Sequence, residues 1–344
     1  MLNKRQSKIY GALLGAAIGD SMGAVSEGFA PEFLKERYNG YIKDLEIPTE
    51  DGMTVNSHRG MVSDDFSVAY YTAEVLLEHN SKINHDLAVE GLLRWWQHPE
   101  YTVYCGPSTR NGILQLIDPE KATVNNTNLK CLNGLVSNGS AMKSGMMGVF
   151  NPGDVDKAID DAITMCRITH TNAASLAGAT AIAAATAMAF KDVSYLEVIE
   201  AGIYGARQGY ERTKEFAVPV SAPDLLKRIN WALDIGFKYQ GDFDNAMIEI
   251  ADVIGSGLWV YEAVPAVLGM IAATKGELME TIYMAVNAGQ DADSAACMAG
   301  YILGALHSHK AVPEEYLDLM DKANNFKLKE MALKIDALVG DEHE

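Results

Sequence analysis

"TNAASLAGATAIAAATAMAF", Thr171 to Phe190, runs twenty positions without a charged residue. A membrane span needs about 20 predominantly apolar residues, so the length alone admits one. The residues are mostly Ala, Thr and Ser, which contribute little to insertion. A buried, tightly packed core helix is the favoured reading. Residues 8–24 and 294–306 share this wealth of Gly and Ala. Small side chains let helix backbones approach closely. Polar groups at the ends of such helices can then converge in a small volume.

Outward from these segments the pattern stays helical. After "VSDD", apolar or small residues recur at Phe66, Ala69, Tyr70, Ala73, Leu76 and Leu77, the steps of one helix face. "DLAVEGLLRWWQH" continues with Leu87, Leu92, Leu93 and Trp96. "DVDKAIDDAITMCRITH", "YLEVIEAGIYGARQGYERT" and "PEEYLDLMDKANNFKLKEMALKIDALVG" all predict amphipathic helices. Only "YIKDLEIP" hints at a strand. No repeat of 20–50 residues shows. The expectation is one all-α domain over residues 1–344. Gly, Asn, Ser and Pro cluster between about His98 and Asp154, which reads as an ordered, functional loop region.

The chain has 344 residues, 48% hydrophobic, with a net charge of -18. That charge argues against nucleic-acid binding, which needs basic surface to replace counterions. It argues equally against docking on anionic membranes. Cys105, Cys131, Cys166 and Cys297 lie far apart with no CxxC pair. Neither a zinc knuckle nor a redox motif fits, and reduced thiols in a cytoplasmic protein are expected. "MLNKRQSKIYGALLGAAIGD" starts basic and turns apolar, as a signal peptide does. Its apolar part is Gly and Ala and soon meets Asp20 and Glu27, so it reads as a mature helix.

Four segments place polar groups beside apolar helices. "GDSMGAVSEG" holds Asp20 and Glu27, "VSDDFS" holds Ser63, Asp64 and Asp65, "RITHTN" holds His170, and "GQDADS" holds Asp291, Asp293 and Ser294. Ser63 is a natural N-cap, and Asp64 and Asp65 suit a first turn. Asp291, Asp293 and Ser294 read the same way. Taken singly, capping is the stronger reading of each. The pattern occurs twice, however, and crowded carboxylates repel unless a cation joins them. Oxygen donors without Cys or His point to Mg²⁺, Mn²⁺ or Ca²⁺ and away from zinc. His170 alone reads as a hydrogen-bonded structural histidine. His307 and His309 read as exposed turn residues. "SNGSAMKSG" offers backbone N–H groups suited to a phosphate, although no Walker A or G-x-G-x-x-G pattern is present.

The order of "GALLGAAIGDSMGAVSE", "SDD", "SNGSAM", "ITH" and "AVNAGQDADSAACMAGYILGALH" resembles the ADP-ribosylglycohydrolase family over about residues 8 to 318. The resemblance implies a compact, single-domain, all-α orthogonal helical bundle with a dinuclear Mg²⁺ or Mn²⁺ cleft. It assigns metal ligation to Ser63, Asp64, Asp65, Asp291, Asp293 and Ser294. Serines stand where the family usually has threonine, and Phe66 fills the last place of its first metal motif. Glu27 falls where relatives carry a carboxylate near the scissile bond, which implies a general base or proton shuttle, with Asp64 and Asp293 acting beside it. Asn138, Gly139, Ser140 and Met142 match the ligand-binding loop, and His170 stands in the "ITH" segment as a further substrate contact. Lys143 replaces the loop's usual arginine, keeping the charge without the planar fork.

The implied reaction is hydrolysis at the anomeric carbon of a ribose, through an oxocarbenium-like transition state. The implied partner is an ADP-ribose-containing protein or small molecule, with no nucleic acid and no membrane. Two alternatives stay open: a hydrolase of a simpler riboside or other glycoside, and a non-catalytic ligand-binding member.

Overall fold

The computed structural model describes residues 2–122 and 135–340. Cys131 and the "NNTNLKCLNG" part of the expected loop region lie outside them. The described residues form seventeen α-helices and no strand. "YIKDLEIP" is loop. Pairing of extended backbone is limited there to isolated bridges, Ser137 with Trp259 and Asn172 with Val218.

The Thr171–Phe190 stretch becomes the helix Ala173–Ala189, buried except for Ala173 and Met188. Asn172 caps its start by accepting from Ser175 N at 2.8 Å. At its end, Lys8 Nζ donates to the carbonyls of Ala189, Phe190 and Lys191, three acceptors near a helix terminus that lack intrahelical partners. Other helices press on it through glycine. Gly205 and Gly209 of the helix Tyr195–Thr213 meet Thr180 and Ala177, and Gly148 meets Ala183 and Thr186. No helix among the described residues is long and apolar enough to cross a membrane.

The other two small-residue segments pack on each other. The helix Lys4–Gly23 opens on a capping box formed by Asn3 and Gln6. Gly11, Gly15, Gly19 and Gly23 recur at every fourth position and so share one face. Opposite them lie Gly304, Gly300, Ala296 and Asp293 of the helix Ala292–His307. A methyl group on any of the four glycines would overlap that helix's backbone or the turn beyond it. The two helices run antiparallel, so the end of one, carrying Asp20, meets the start of the other, carrying Asp293. This close pairing builds the floor of the site.

Two expectations need correction. The stretch from His98 to Asp154 contains the helices Pro99–Thr102, Pro107–Ile117 and Ala141–Val149. Pro99 and Pro107 open helices, a position that needs no N–H donor. Gly145 and Gly148 fit it against Tyr301 and Ala183 rather than turning the chain. "PEEYLDLMDKANNFKLKEMALKIDALVG" forms two helices, Glu314–Asn324 and Leu328–Gly340. Asn325 adopts φ 54, a left-handed conformation that asparagine tolerates. Phe326 then turns inward and stacks on Tyr70 at 3.9 Å between ring centroids.

Candidate active site

Ser63 begins the helix Asp64–Glu78, its Oγ accepting from Asp65 N at 3.3 Å. Asp20 reinforces that start from the neighbouring helix. Its carboxylate accepts from Ser63 N at 2.7 Å and Phe66 N at 2.8 Å. With its start tied down twice, the helix presents Asp64 and Asp65 to a cleft.

Asp291 occupies the N-cap position of the helix Ala292–His307, yet its side chain makes no capping bond. It accepts instead from Asn138 Nδ2 at 2.9 Å, while its backbone N–H donates to Ser256 O at 3.0 Å. Gly289 and Gln290 turn the chain before it with φ of 65 and 59. Gly28 N donates to Gln290 O at 2.7 Å, which ties the Glu27 loop to this turn. Asn138 N donates to Leu258 O at 2.8 Å, which joins the Asn138 loop to the segment before Trp259.

Glu27, Asp64, Asp65, Asp291, Asp293 and Ser294 share this one cleft lining, with Asn138, Gly139 and Met142 on its wall. Glu27, Asp291 and Asp293 each bring a carboxylate oxygen within 4.8 Å of the other two. Asp65 bridges the two helix starts. It accepts from Ser294 Oγ at 2.6 Å and from Ser63 Oγ at 3.0 Å. An all-oxygen set of carboxylates beside hydroxyls, at this spacing, fits a hard divalent cation.

Crowding has an electrostatic consequence. Burial, then the charges of Asp291, Asp64 and Asp20, pushes Glu27 up to about 8. Burial followed by Asp20 and Asp291 raises Asp64 to about 7. Asp20 rises to about 6 by burial, in spite of its two N–H donors. Asp65 and Asp293 lie well above the usual carboxylate range for the same reasons, burial first. Such a cluster takes up protons or a cation near neutral pH.

Three of the expected residues stand behind the lining. Ser63 reaches the cleft only through Asp65. Ser140 is buried and donates to Ser175 O at 2.7 Å. His170 is buried between Ser137 Oγ at 2.9 Å and Thr169 Oγ1 at 2.8 Å, and burial drives its pKa well down. His307 ends the 16-residue helix that Asp291 begins, about 24 Å from the cleft end. Sequence reasoning missed Ser108, Ser137, Leu258 and Trp259, which also line the cleft. The one signal for the last two was the glycine pair in "IGSGLW", where Gly255 takes φ 83.

Fold and cleft together define an all-α protein with an acidic, oxygen-lined cleft. The sequence profile of the ADP-ribosylglycohydrolase family matches residues 1–343. The chain therefore belongs to the ADP-ribosylglycohydrolase family and is a glycosidic-bond hydrolase. It is similar to YegU, an uncharacterized protein of Escherichia coli, at 27% identity over 331 residues, covering 95% of this chain and 96% of YegU. The ADP-ribosylarginine hydrolase Tri1 of Serratia proteamaculans is 25% identical over 317 residues, covering 90% of this chain and 74% of Tri1. A solved structure, an ADP-ribosylglycohydrolase-related protein complex, superposes with a TM-score of 0.71 at 19% identity, covering 98% of this chain and 100% of that one, and shares the fold.

Proposed function

We propose that this chain, as one functional unit over residues 1–344, releases ADP-ribose from an arginine side chain or a small conjugate, with two Mg²⁺ or Mn²⁺ ions. The observation that carries this reading is the convergence of Asp64 and Asp65 with Asp291 and Asp293 in one cleft beside Glu27. Asp64, Asp65, Asp291, Asp293 and Ser294 would hold the ions, and Ser63 orients Asp65. When bound, the ions supply charge neutralisation, orientation of ribose hydroxyls and acidification of water. Glu27 reaches the same cleft, with a carboxylate oxygen within 4.8 Å of Asp291 and Asp293, and serves as the base for the attacking water. Asn138 fixes Asp291, and Leu258 and Trp259 flank the opening with apolar surface that excludes water. Among the described residues the buried free thiols Cys105, Cys166 and Cys297 suit a reducing cytoplasmic setting.

The test is release of ADP-ribose from ADP-ribosylated arginine, with Mg²⁺ or Mn²⁺ and after chelation. Glu27→Gln is expected to slow turnover by about a hundredfold with little change in ADP-ribose affinity. Equal turnover with and without metal would sink the dinuclear reading. Failure to bind ADP-ribose at millimolar concentration would sink the substrate and favour a simpler glycoside.

A further inference from the structure

Behind the cleft wall a line of hydrogen bonds ends in a buried lysine, whose pKa burial lowers. Ser137 lines the cleft, and its Oγ lies 2.9 Å from His170 Nε2 and 3.2 Å from Ser108 Oγ. His170 Nδ1 lies 2.8 Å from Thr169 Oγ1, which lies 3.1 Å from Lys143 Nζ. Lys143 is 2% exposed, His170 is 1% exposed, and neither lines the cleft. Lys143 forms no ion pair among the described residues. A buried lysine with a hydroxyl partner and no carboxylate partner is costly, and the reaction scheme above does not use it.

The line has one direction. An ammonium has three donors and no acceptor, so Thr169 Oγ1 accepts from Lys143. The Thr169 hydrogen then has two acceptors in reach, His170 Nδ1 at 2.8 Å and Cys166 O at 3.4 Å. The shorter contact is the stronger bond. With Nδ1 accepting, a neutral His170 carries its hydrogen on Nε2 and donates to Ser137 Oγ. Burial and the nearby ammonium both favour that neutral ring. Ser137 is left to give its own hydrogen to Ser108 or to a ligand.

We propose that Lys143 is a positioning residue: through Thr169 and His170 it sets the tautomer that makes Ser137 a hydrogen-bond donor facing the cleft. The ligand group at Ser137 is then an acceptor, such as a phosphate or ribose oxygen. That ligand assignment rests on the proposed function, whereas the tautomer does not. His170 therefore acts through Ser137 rather than by touching substrate. Lys143 supplies this donor as a single point charge.

Long-range ¹H–¹⁵N correlation spectra of the full chain read the His170 tautomer directly, with His170→Gln assigning its signals. Wild type is expected to show the hydrogen on Nε2. Thr169→Val removes the relay and leaves Lys143 in place; Lys143→Met removes the donor. Both are expected to shift His170 towards the Nδ1–H form and to weaken ADP-ribose binding about tenfold by calorimetry. Lys143→Arg is expected to preserve the tautomer. A wild-type Nδ1–H tautomer, or an unchanged Nε2–H tautomer in Thr169→Val, would overturn the proposal. If wild type binds no ADP-ribose while the tautomer responds as described, the substrate reading fails and the positioning role of Lys143 stands.

Discussion

The two helix starts at Ser63 and Asp291 use the same ingredients and reach different ends. Each sets a serine and two aspartates at the mouth of a buried apolar helix. At the first, Ser63 caps its own helix and Asp20 adds a second cap from outside. At the second, Asp291 sits in the capping position and leaves its helix uncapped, because Asn138 holds its carboxylate. Ser294 N is served by Asp293 Oδ1 at 2.9 Å instead. Residue type at a helix start does not decide between cap and site. The neighbours that compete for each carboxylate decide it.

The sharpest way to break this comparison is Asp293→Ala. Turnover with metal is expected to fall on the order of a thousandfold. The metal-free protein is expected to melt no lower than wild type, because a crowded buried carboxyl has been removed. A lower melting temperature without metal would instead make Asp293 a structural residue.

Next in size is the pH response of the metal-free protein. Carboxyls raised in the folded state, Glu27 to about 8 and Asp64 to about 7, bind protons that the unfolded chain has already released. Their stabilising contribution is complete below about pH 4 and is lost as pH rises through the folded values. Denaturant titrations of chelated protein are expected to lose at least about 3 kcal/mol between pH 5 and pH 8. Saturating Mg²⁺ or Mn²⁺ is expected to remove most of that slope. A slope untouched by metal would separate the raised carboxyls from cation binding.

Asp20→Asn tests the outside cap. It keeps one acceptor for the two donors Ser63 N and Phe66 N, and is expected to cost about 1–2 kcal/mol in chemical denaturation. The smallest effects separate the two serines. Ser63→Ala is expected to cost about 1 kcal/mol of stability, as cap losses do. Ser294→Ala is expected to change stability by about half that and turnover by about tenfold. Reversed rankings in melting and rate assays would reverse the assignment of cap and site.

Much of the helical layout was legible. Tyr195–Thr213 matches its expected span, and the face running from Phe66 to Leu76 is buried. Periodicity works where one side of a helix meets water. It failed between His98 and Asp154, where Gly145 and Gly148 mark close packing rather than turns. It also ran through Asn325, where one left-handed residue splits two helices. At the site, sequence reasoning singled out the acidic residues that the fold gathers on one lining. It did not separate Ser140 and His170, one layer back, from Ser137 in front of them. A period-based reading gives helix faces; it does not say which neighbour a face meets. Trp259 and Leu258 were hidden for the same reason, since a short loop carries no periodicity.

By itself, the sequence determined the all-α class, the family, and the two acidic helix starts. Those depend on local periodicity, composition and motif order, which need no partner. Only the tertiary structure decided that Gly11, Gly15, Gly19 and Gly23 bring Asp20 to the start of the Asp293 helix. It alone joined Glu27 to Asp291 and Asp293, left Asp291 uncapped, and set His170 behind Ser137. The reason is physical: a carboxylate's role depends on which donors and charges lie within a few ångströms, and those come from distant chain positions, Ser294 to Asp65 being 229 residues apart.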